Sequence, residues 1–449
     1  MLSLLSFKLP RLIVRVLLPL VFLIGITILI SVQFEVDVKE NFSGFLRQLE
    51  ATKALDFRKP YILEKGNVQF HFLNLKKKKG TPEQILQANN DRYDEILAQE
   101  INEPKDFNIE SIRPPENPFE YQHANATIVS LVRNNEVAKI GVAIRSFENK
   151  FNGKFKYPYT FLNDQPFTDR FKEKIRKYTD APMEFVQIPP ELWNKPDFVD
   201  LTREREAMDR LEQLNVAYAK KASYHNMCRF YSAKFYNLPE LQKYKYYWRL
   251  EPSVKFFTDV NYDVFKYLEG TRKIYGFTIN LYDIDESIET LYPETLNFLN
   301  SDDNYKYVNE NGSFQWITED QQNPKKTKVA HGYSTCHFWS NFEIADMDFY
   351  RGEAYTNWVN YLDSTGKFYY ERWGDAPVHS LGLALFADKR QIHWFRDIGY
   401  HHSPYRNCPN TPTTRGCAKG QFSEYNRDFD QNCLVTWVDY EAGDLSAVY

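Results

Sequence analysis

The stretch "YYWRLEPSVKFF", Tyr246 to Phe257, sets an acid and a proline in the middle of a run otherwise suited to a half-buried strand. Glu251 does not suit a strand interior, and Pro252 cannot donate a ladder hydrogen bond, so the strand is expected to end or bend there. Glu251 then stands at the carboxyl end of a strand, where open α/β sheets hold their ligands. A capping acid at a loop is the plainer alternative. Three further stretches pack acids, hydroxyls and imidazoles among aromatics: "YSTCHFWSNFEIADMDF" (333–349), "YYERWGDAPVHSLGLALF" (369–386) and "DIGYHHSPYRNC" (397–408). Taken singly, each such polar group is more often a satisfied structural one. Glu251 forms no DxD pair, and no CxxC occurs among Cys228, Cys336, Cys408, Cys417 and Cys433, so a zinc site is not expected.

The elements that must position these residues are clearest from Ala124 onward. "ATIVSLVR" (126–133) reads as a buried strand, and Val137, Ile140, Ile144, Phe147 and Phe151 then recur on one helical face. "YPYTFLND" (157–164) and "MEFVQIP" (183–189) read as the next strands, with a short helix, "TDRFKEKIRKY", between them. This alternation predicts an α/β fold with a parallel, Rossmann-like half. Its first turn lacks GxGxxG, which argues against a dinucleotide site, but a nucleotide can still bind outside the strand ends. Arg133, closing the first strand, and Asp164, closing the second, stand there. Helices are expected over 201–220 and 224–237, and another over 262–270 closed by Gly270. "KIYGFTINLY" (273–282) reads as one strand.

The 449 residues allow one large or two ordinary domains, and 56 basic against 60 acidic residues leave no footprint of a nucleic-acid binder. Aromatics reach 16%, which suits a large aromatic core or sugar-stacking surfaces. An uncharged apolar run of about 17 residues, Val16 to Val32, follows Lys8, Arg11 and Arg15 and precedes Glu35 and Asp37. The positive-inside rule predicts a membrane signal anchor with the bulk of the chain in the lumen of the secretory route. A cleaved signal peptide is the alternative. The short span favours ER or Golgi membranes. Sequons at Asn41, Asn125 and Asn311 agree with a luminal placement. The expected organisation is a cytoplasmic tail (1–15), an anchor (16–34), a luminal stem (35–115) and a catalytic domain (116–449). Two disulfides and one free thiol are expected, their pairing open, with Cys408, Cys417 and Cys433 suggesting a stapled C-terminal region.

"ATIVSLVRN", "FLNDQPFT", "SYHNMCRFYS", "YYWRLEPSVKFFTDVNYDVF", "STCHFWSNFEIAD", "FYYERWGDAPVHS" and "DIGYHHSPYRNCP" occur in that order from about Ala124 to about Cys408. Together they resemble the fungal α-1,2-mannosyltransferases of glycosyltransferase family 15. The resemblance implies a GT-A fold, a GDP-mannose donor, Mn²⁺, retention of configuration and a mannosylated glycan acceptor, in a Golgi type II membrane protein. It implies metal-ligand roles for Glu251 and His402, with His401 a rival for the second. It implies that Glu343 acts as nucleophile or charge stabiliser, that Tyr224 lies beside the donor, and that Asp375 meets an acceptor hydroxyl. Mannosylphosphate transfer, or a non-catalytic mannan-binding role on the same fold, are the alternatives. The polar segment 301–328 departs from the family pattern and is expected to be a looped insertion.

Overall fold

The computed structural model describes residues 70–448 apart from 71, 74, 426 and 427. The expected tail, anchor and first half of the stem lie outside the described residues. Among those described, no helix is long and apolar enough to cross a membrane.

Among the described residues, twelve strands form three sheets. They are β1 (Ala126–Leu131), β2 (Tyr159–Asn163), β3 (Met183–Gln187), β4 (Tyr246–Arg249), β5 (Lys255–Phe256), β6 (Tyr275–Phe277), β7 (Asn280–Tyr282), β8 (Cys336–Phe338), β9 (Ile344–Asp346), β10 (Ile392–Trp394), β11 (Tyr400–His402) and β12 (Tyr405–Asn407). The central sheet runs β10-β6-β9-β4-β1-β2-β3. Its β4-β1-β2-β3 half is parallel, and β9 is antiparallel to both neighbours, so the sheet is mixed. The parallel half has the composition such strands need, since β1 and β2 are buried almost throughout. The helices that concern the site are α1 (Pro82–Ala98), α2 (Val137–Phe147), α3 (Leu201–Gln213), α4 (Ala222–Ala233), α5 (Val264–Thr271) and α6 (Asp375–Phe386). Most of the aromatic content goes to the core. Trp248 of β4 meets Phe147 edge-on at 4.7 Å, Phe151 at 5.0 Å and Phe342 at 5.3 Å.

Several expectations change. "KIYGFTINLY" is two strands in different sheets: β6 joins the central sheet, while β7 pairs with β8. The helix over 262–270 is not closed by Gly270. It ends at Arg272, whose φ is 56°, and Gly270 lies inside it against Phe107, where a Cβ would come within 2.4 Å of the ring. Helix α3 stops at Gln213, short of 220. Segment 301–328 is not a loop. Phe314, Trp316 and Ile317 are buried in the main core, and Trp316 stacks on Phe338 at 4.5 Å. Glu319 accepts the backbone N–H groups of Gln321 and Gln322, and Gln322 accepts from Asn89 of α1. Helix α1, inside the span read as stem, is held by a Thr81–Gln84 capping box and buries Tyr93, Ile96 and Leu97 in the same core. The disulfides are Cys336–Cys433 and Cys408–Cys417, with Cys228 free and buried. The second is a local staple. The first ties the C-terminal region to β8.

Candidate active site

A cleft of about 440 Å³ opens at the carboxyl ends of β1, β2 and β4. Arg133 follows β1, Asp164 follows β2 and Glu251 follows β4, and all three line it. Here the proline did what the sequence suggested. The ladder stops at Arg249, Pro252 follows the acid, and Ser253 turns the chain with a left-handed φ of 71°. The chain re-emerges as β5, which pairs with β11 through Phe256–Tyr400 and Lys255–His401. That pairing carries His402 to the same cleft as Glu251.

Strand alternation separates the two histidines. His402 lines the cleft, with Trp339 edge-on at 5.1 Å. His401 turns away, and its Nε2 lies 2.9 Å from Glu424. Burial holds the His402 imidazole below its ordinary value, against the opposing pull of the Glu251 charge and of a backbone contact at Ser403. Its Nδ1 is buried without a hydrogen-bond partner. Glu251 Oε1 accepts from Arg249 Nε at 2.7 Å, and that is the one hydrogen bond described for its carboxylate. A carboxylate and an imidazole with an unpartnered Nδ1, both lining one cleft, fit a hard-to-borderline divalent cation.

Helix α4 forms another wall. Tyr224, Met227 and Tyr231 recur at spacings of three and four and face the cleft together. Tyr218, exposed and with φ 63°, stacks on Tyr224 at 4.8 Å between ring centroids. Arg133, Lys139 and Lys221 set cationic groups in the lining against Glu136, Asp164 and Glu251.

Glu343 and Asp375 do not line the cleft. Both are buried, and Glu343 is 0% exposed. Its Oε2 lies 3.0 Å from His379 Nδ1 and accepts from Tyr275 Oη at 3.2 Å. His379 Nε2 lies 3.0 Å from the Tyr231 carbonyl. Both ring nitrogens thus face acceptors, which calls for an imidazolium. Burial opposes that charge, but Glu343, together with Asp375 and the Tyr231 carbonyl, outweighs it and raises the His379 value. Glu343 Oε1 makes no hydrogen bond and stands 3.8 Å from Arg249 Nη1. The open face that attack by Glu343 on a sugar requires is absent here. Asp375 Oδ2 accepts from Arg249 Nη1 at 2.6 Å and Ser340 Oγ at 2.7 Å, so that oxygen is spent within the buried network. Arg249 is the hub the sequence reading missed. It is buried, joins Glu251, Asp375 and Glu343, and lies 3.6 Å over the Tyr231 ring that walls the cleft. Its place two residues before Glu251 was the available signal, since alternate strand residues share a face.

The profile of the glycolipid 2-alpha-mannosyltransferases, glycosyltransferase family 15, matches residues 83–442. The chain belongs to this family. It is 44% identical over 414 residues to the probable mannosyltransferase KTR4 of Saccharomyces cerevisiae, covering 91% of this chain and 88% of that one. It is 40% identical over 325 residues to the O-glycoside alpha-1,2-mannosyltransferase omh1 of Schizosaccharomyces pombe, covering 71% and 81%. Among solved structures it resembles the mannosyltransferase Ktr4p of S. cerevisiae in complex with GDP, with TM-score 0.79 and 47% identity over 84% of this chain and 96% of that one. It also resembles the Mn/GDP form of core-mannan synthase A of Aspergillus fumigatus, with TM-score 0.71 and 40% identity over 86% and 99%. The family 15 fold of this chain is therefore the GT-A-like α/β arrangement of Ktr4p, a mixed sheet flanked by helices.

Proposed function

We propose that this chain is a GDP-mannose-dependent α-1,2-mannosyltransferase that extends mannose-ended O-linked glycans and works with Mn²⁺. The observation that carries the reading is the convergence of Glu251 and His402 on one cleft at the strand ends, brought about by β5–β11 pairing. The GDP bound by Ktr4p and the Mn/GDP form of core-mannan synthase A support the nucleotide and the metal. Glu251 and His402 would hold Mn²⁺, which neutralises diphosphate charge on the leaving group when bound. Arg133, Lys139 and Lys221 add fixed positive charge for the same diphosphate. Tyr224 stays protonated, because burial, with Cys228 alongside, pushes its phenol well above the ordinary range. It is placed to donate a hydrogen bond to an oxygen in the cleft. With Glu343 closed off, attack from the leaving-group face within an ion pair accounts for retention better than a covalent mannosyl-Glu343. Glu343 then acts through Arg249, as buried charge beneath the cleft floor. Incubating the chain with GDP-mannose, Mn²⁺ and α-methylmannoside tests the reading.

The same proposal places the protein in the Golgi membrane with residues beyond about 40 in the lumen. Asn125 is exposed at the start of β1, away from the strand ends that form the cleft. Asn311 already donates to Asp388 at 2.7 Å. Protease added to sealed microsomes should spare everything after the anchor, and glycan removal should shift the band. A large fragment cut from outside contradicts the topology.

A further inference from the structure

We propose that Arg372 is a positioning residue for mannosyl transfer, fixing the phenol of Tyr224 so that its single O–H points into the cleft. The inference rests on the reading of the cleft as the transfer site. Arg372 is buried and does not line the cleft. It is held from behind: its backbone N–H donates to the Ser287 carbonyl at 3.0 Å, and Nη2 donates to Ser287 Oγ at 2.9 Å and to Asp283 Oδ1 at 3.4 Å. From that anchored plane Nη1 donates to Tyr224 Oη at 3.2 Å.

A guanidinium has donors and no acceptor. The contact therefore occupies a lone pair of Tyr224 Oη, and the Tyr224 O–H cannot point back toward Arg372. The phenol keeps its proton, because burial, with Cys228 alongside, outweighs the lowering effect of the Arg372 charge. The ring is also held by stacking on Tyr218, at 4.8 Å and 18°. A phenol held on one face by stacking and at its oxygen by a fixed cation has its O–H confined to directions away from Arg372. Tyr224 lines the cleft, so those directions include an oxygen of a bound donor or acceptor.

The test is a double-mutant cycle on the full chain with GDP-mannose, Mn²⁺ and α-methylmannoside. It compares wild type, Arg372→Gln, Arg372→Lys, Tyr224→Phe and the Arg372→Gln/Tyr224→Phe pair, with GDP affinity in Mn²⁺ as the control for folding. Arg372→Gln should lower kcat about ten- to hundredfold, the scale of one lost charge-assisted hydrogen bond. KM for GDP-mannose and GDP affinity should stay within about twofold, since the lost interaction belongs to the transition state. Arg372→Lys should recover part of the loss. In the Tyr224→Phe background the same Arg372→Gln change should cost less than about twofold, because the contact it removes is already gone. If Arg372→Gln fails to bind GDP, the cycle run with Arg372→Lys carries the same expectation of a cost confined to the Tyr224 background. Equal fold-losses in both backgrounds, full turnover of Arg372→Gln or full turnover of Tyr224→Phe overturn the inference while leaving the transfer reading intact. A wild-type chain that transfers no mannose defeats the transfer reading itself.

Discussion

Replacing Arg249 by methionine keeps most of the side-chain volume and removes a cation that three carboxylates share. Arg249 is 5% exposed, with Glu251 at 2.7 Å, Asp375 at 2.6 Å and Glu343 at 3.8 Å. Removing one partner of a buried ion pair costs about 3–5 kcal/mol, because the other charge is left uncompensated. The pH dependence follows from Asp375. Burial alone would raise its pKa, but Arg249, then His379 and Ser340, outweigh burial and hold it below the ordinary value. In the wild type this group therefore stabilises the fold at pH above its unfolded value of about 3.9, and the contribution fades only as pH falls through the still lower folded value. Without Arg249 the burial effect dominates and the folded value rises above the unfolded one. The variant's deficit should then be largest near neutrality and shrink toward about pH 5, by about 1.4 kcal/mol for each unit that a carboxyl rises into that window. Urea denaturation of both chains at about pH 7.5 and about pH 5 reads this directly. A variant as stable as wild type at both values, or a deficit equal at both, refutes the hub as drawn.

Two further outcomes follow from the site. His402→Ala should weaken Mn²⁺-dependent GDP binding by about tenfold or more, and His401→Ala should leave it unchanged, as titration calorimetry with and without Mn²⁺ will show; the reverse pattern would reassign the ligand. Glu343→Gln keeps shape and removes charge, so turnover should fall by roughly a hundredfold with GDP affinity barely changed, and near-normal steady-state turnover would remove Glu343 from the mechanism.

The sequence disclosed the parallel half of the sheet because β1 and β2 are continuous apolar runs bounded by polar residues. It disclosed Glu251 because a proline beside an acid cannot continue a ladder. Five of the seven site residues singled out, Arg133, Asp164, Tyr224, Glu251 and His402, meet in one cleft. What stayed hidden depends on partners far along the chain. The choice between His401 and His402 needs the register of β11 on β5, about 145 residues apart, and no local pattern reports it. Arg249 meets Asp375 at a separation of 126 residues, and Arg372 meets Tyr224 at 148. Segment 301–328 looked like a loop because it is rich in glutamines and acids, yet Gln321 and Gln322 accept from Lys78 and Asn89, more than 200 positions away. The 273–282 run read as one strand because both halves have strand composition. The two halves pair with different partners, and Gly276 leaves room for Phe395, whose ring a Cβ would approach within 2.1 Å.

The central claim is that the Glu251–His402 cleft transfers mannose from GDP-mannose to the 2-hydroxyl of a mannoside. The most direct measurement is product analysis after the chain has been incubated with GDP-mannose, Mn²⁺ and α-methylmannoside. The account predicts an α-1,2-linked dimannoside that α-1,2-mannosidase cleaves and phosphatase does not alter, formed only with Mn²⁺ and lost in Glu251→Ala. A phosphatase-sensitive product, a product formed equally by Glu251→Ala, or no product from a chain that binds GDP would contradict it.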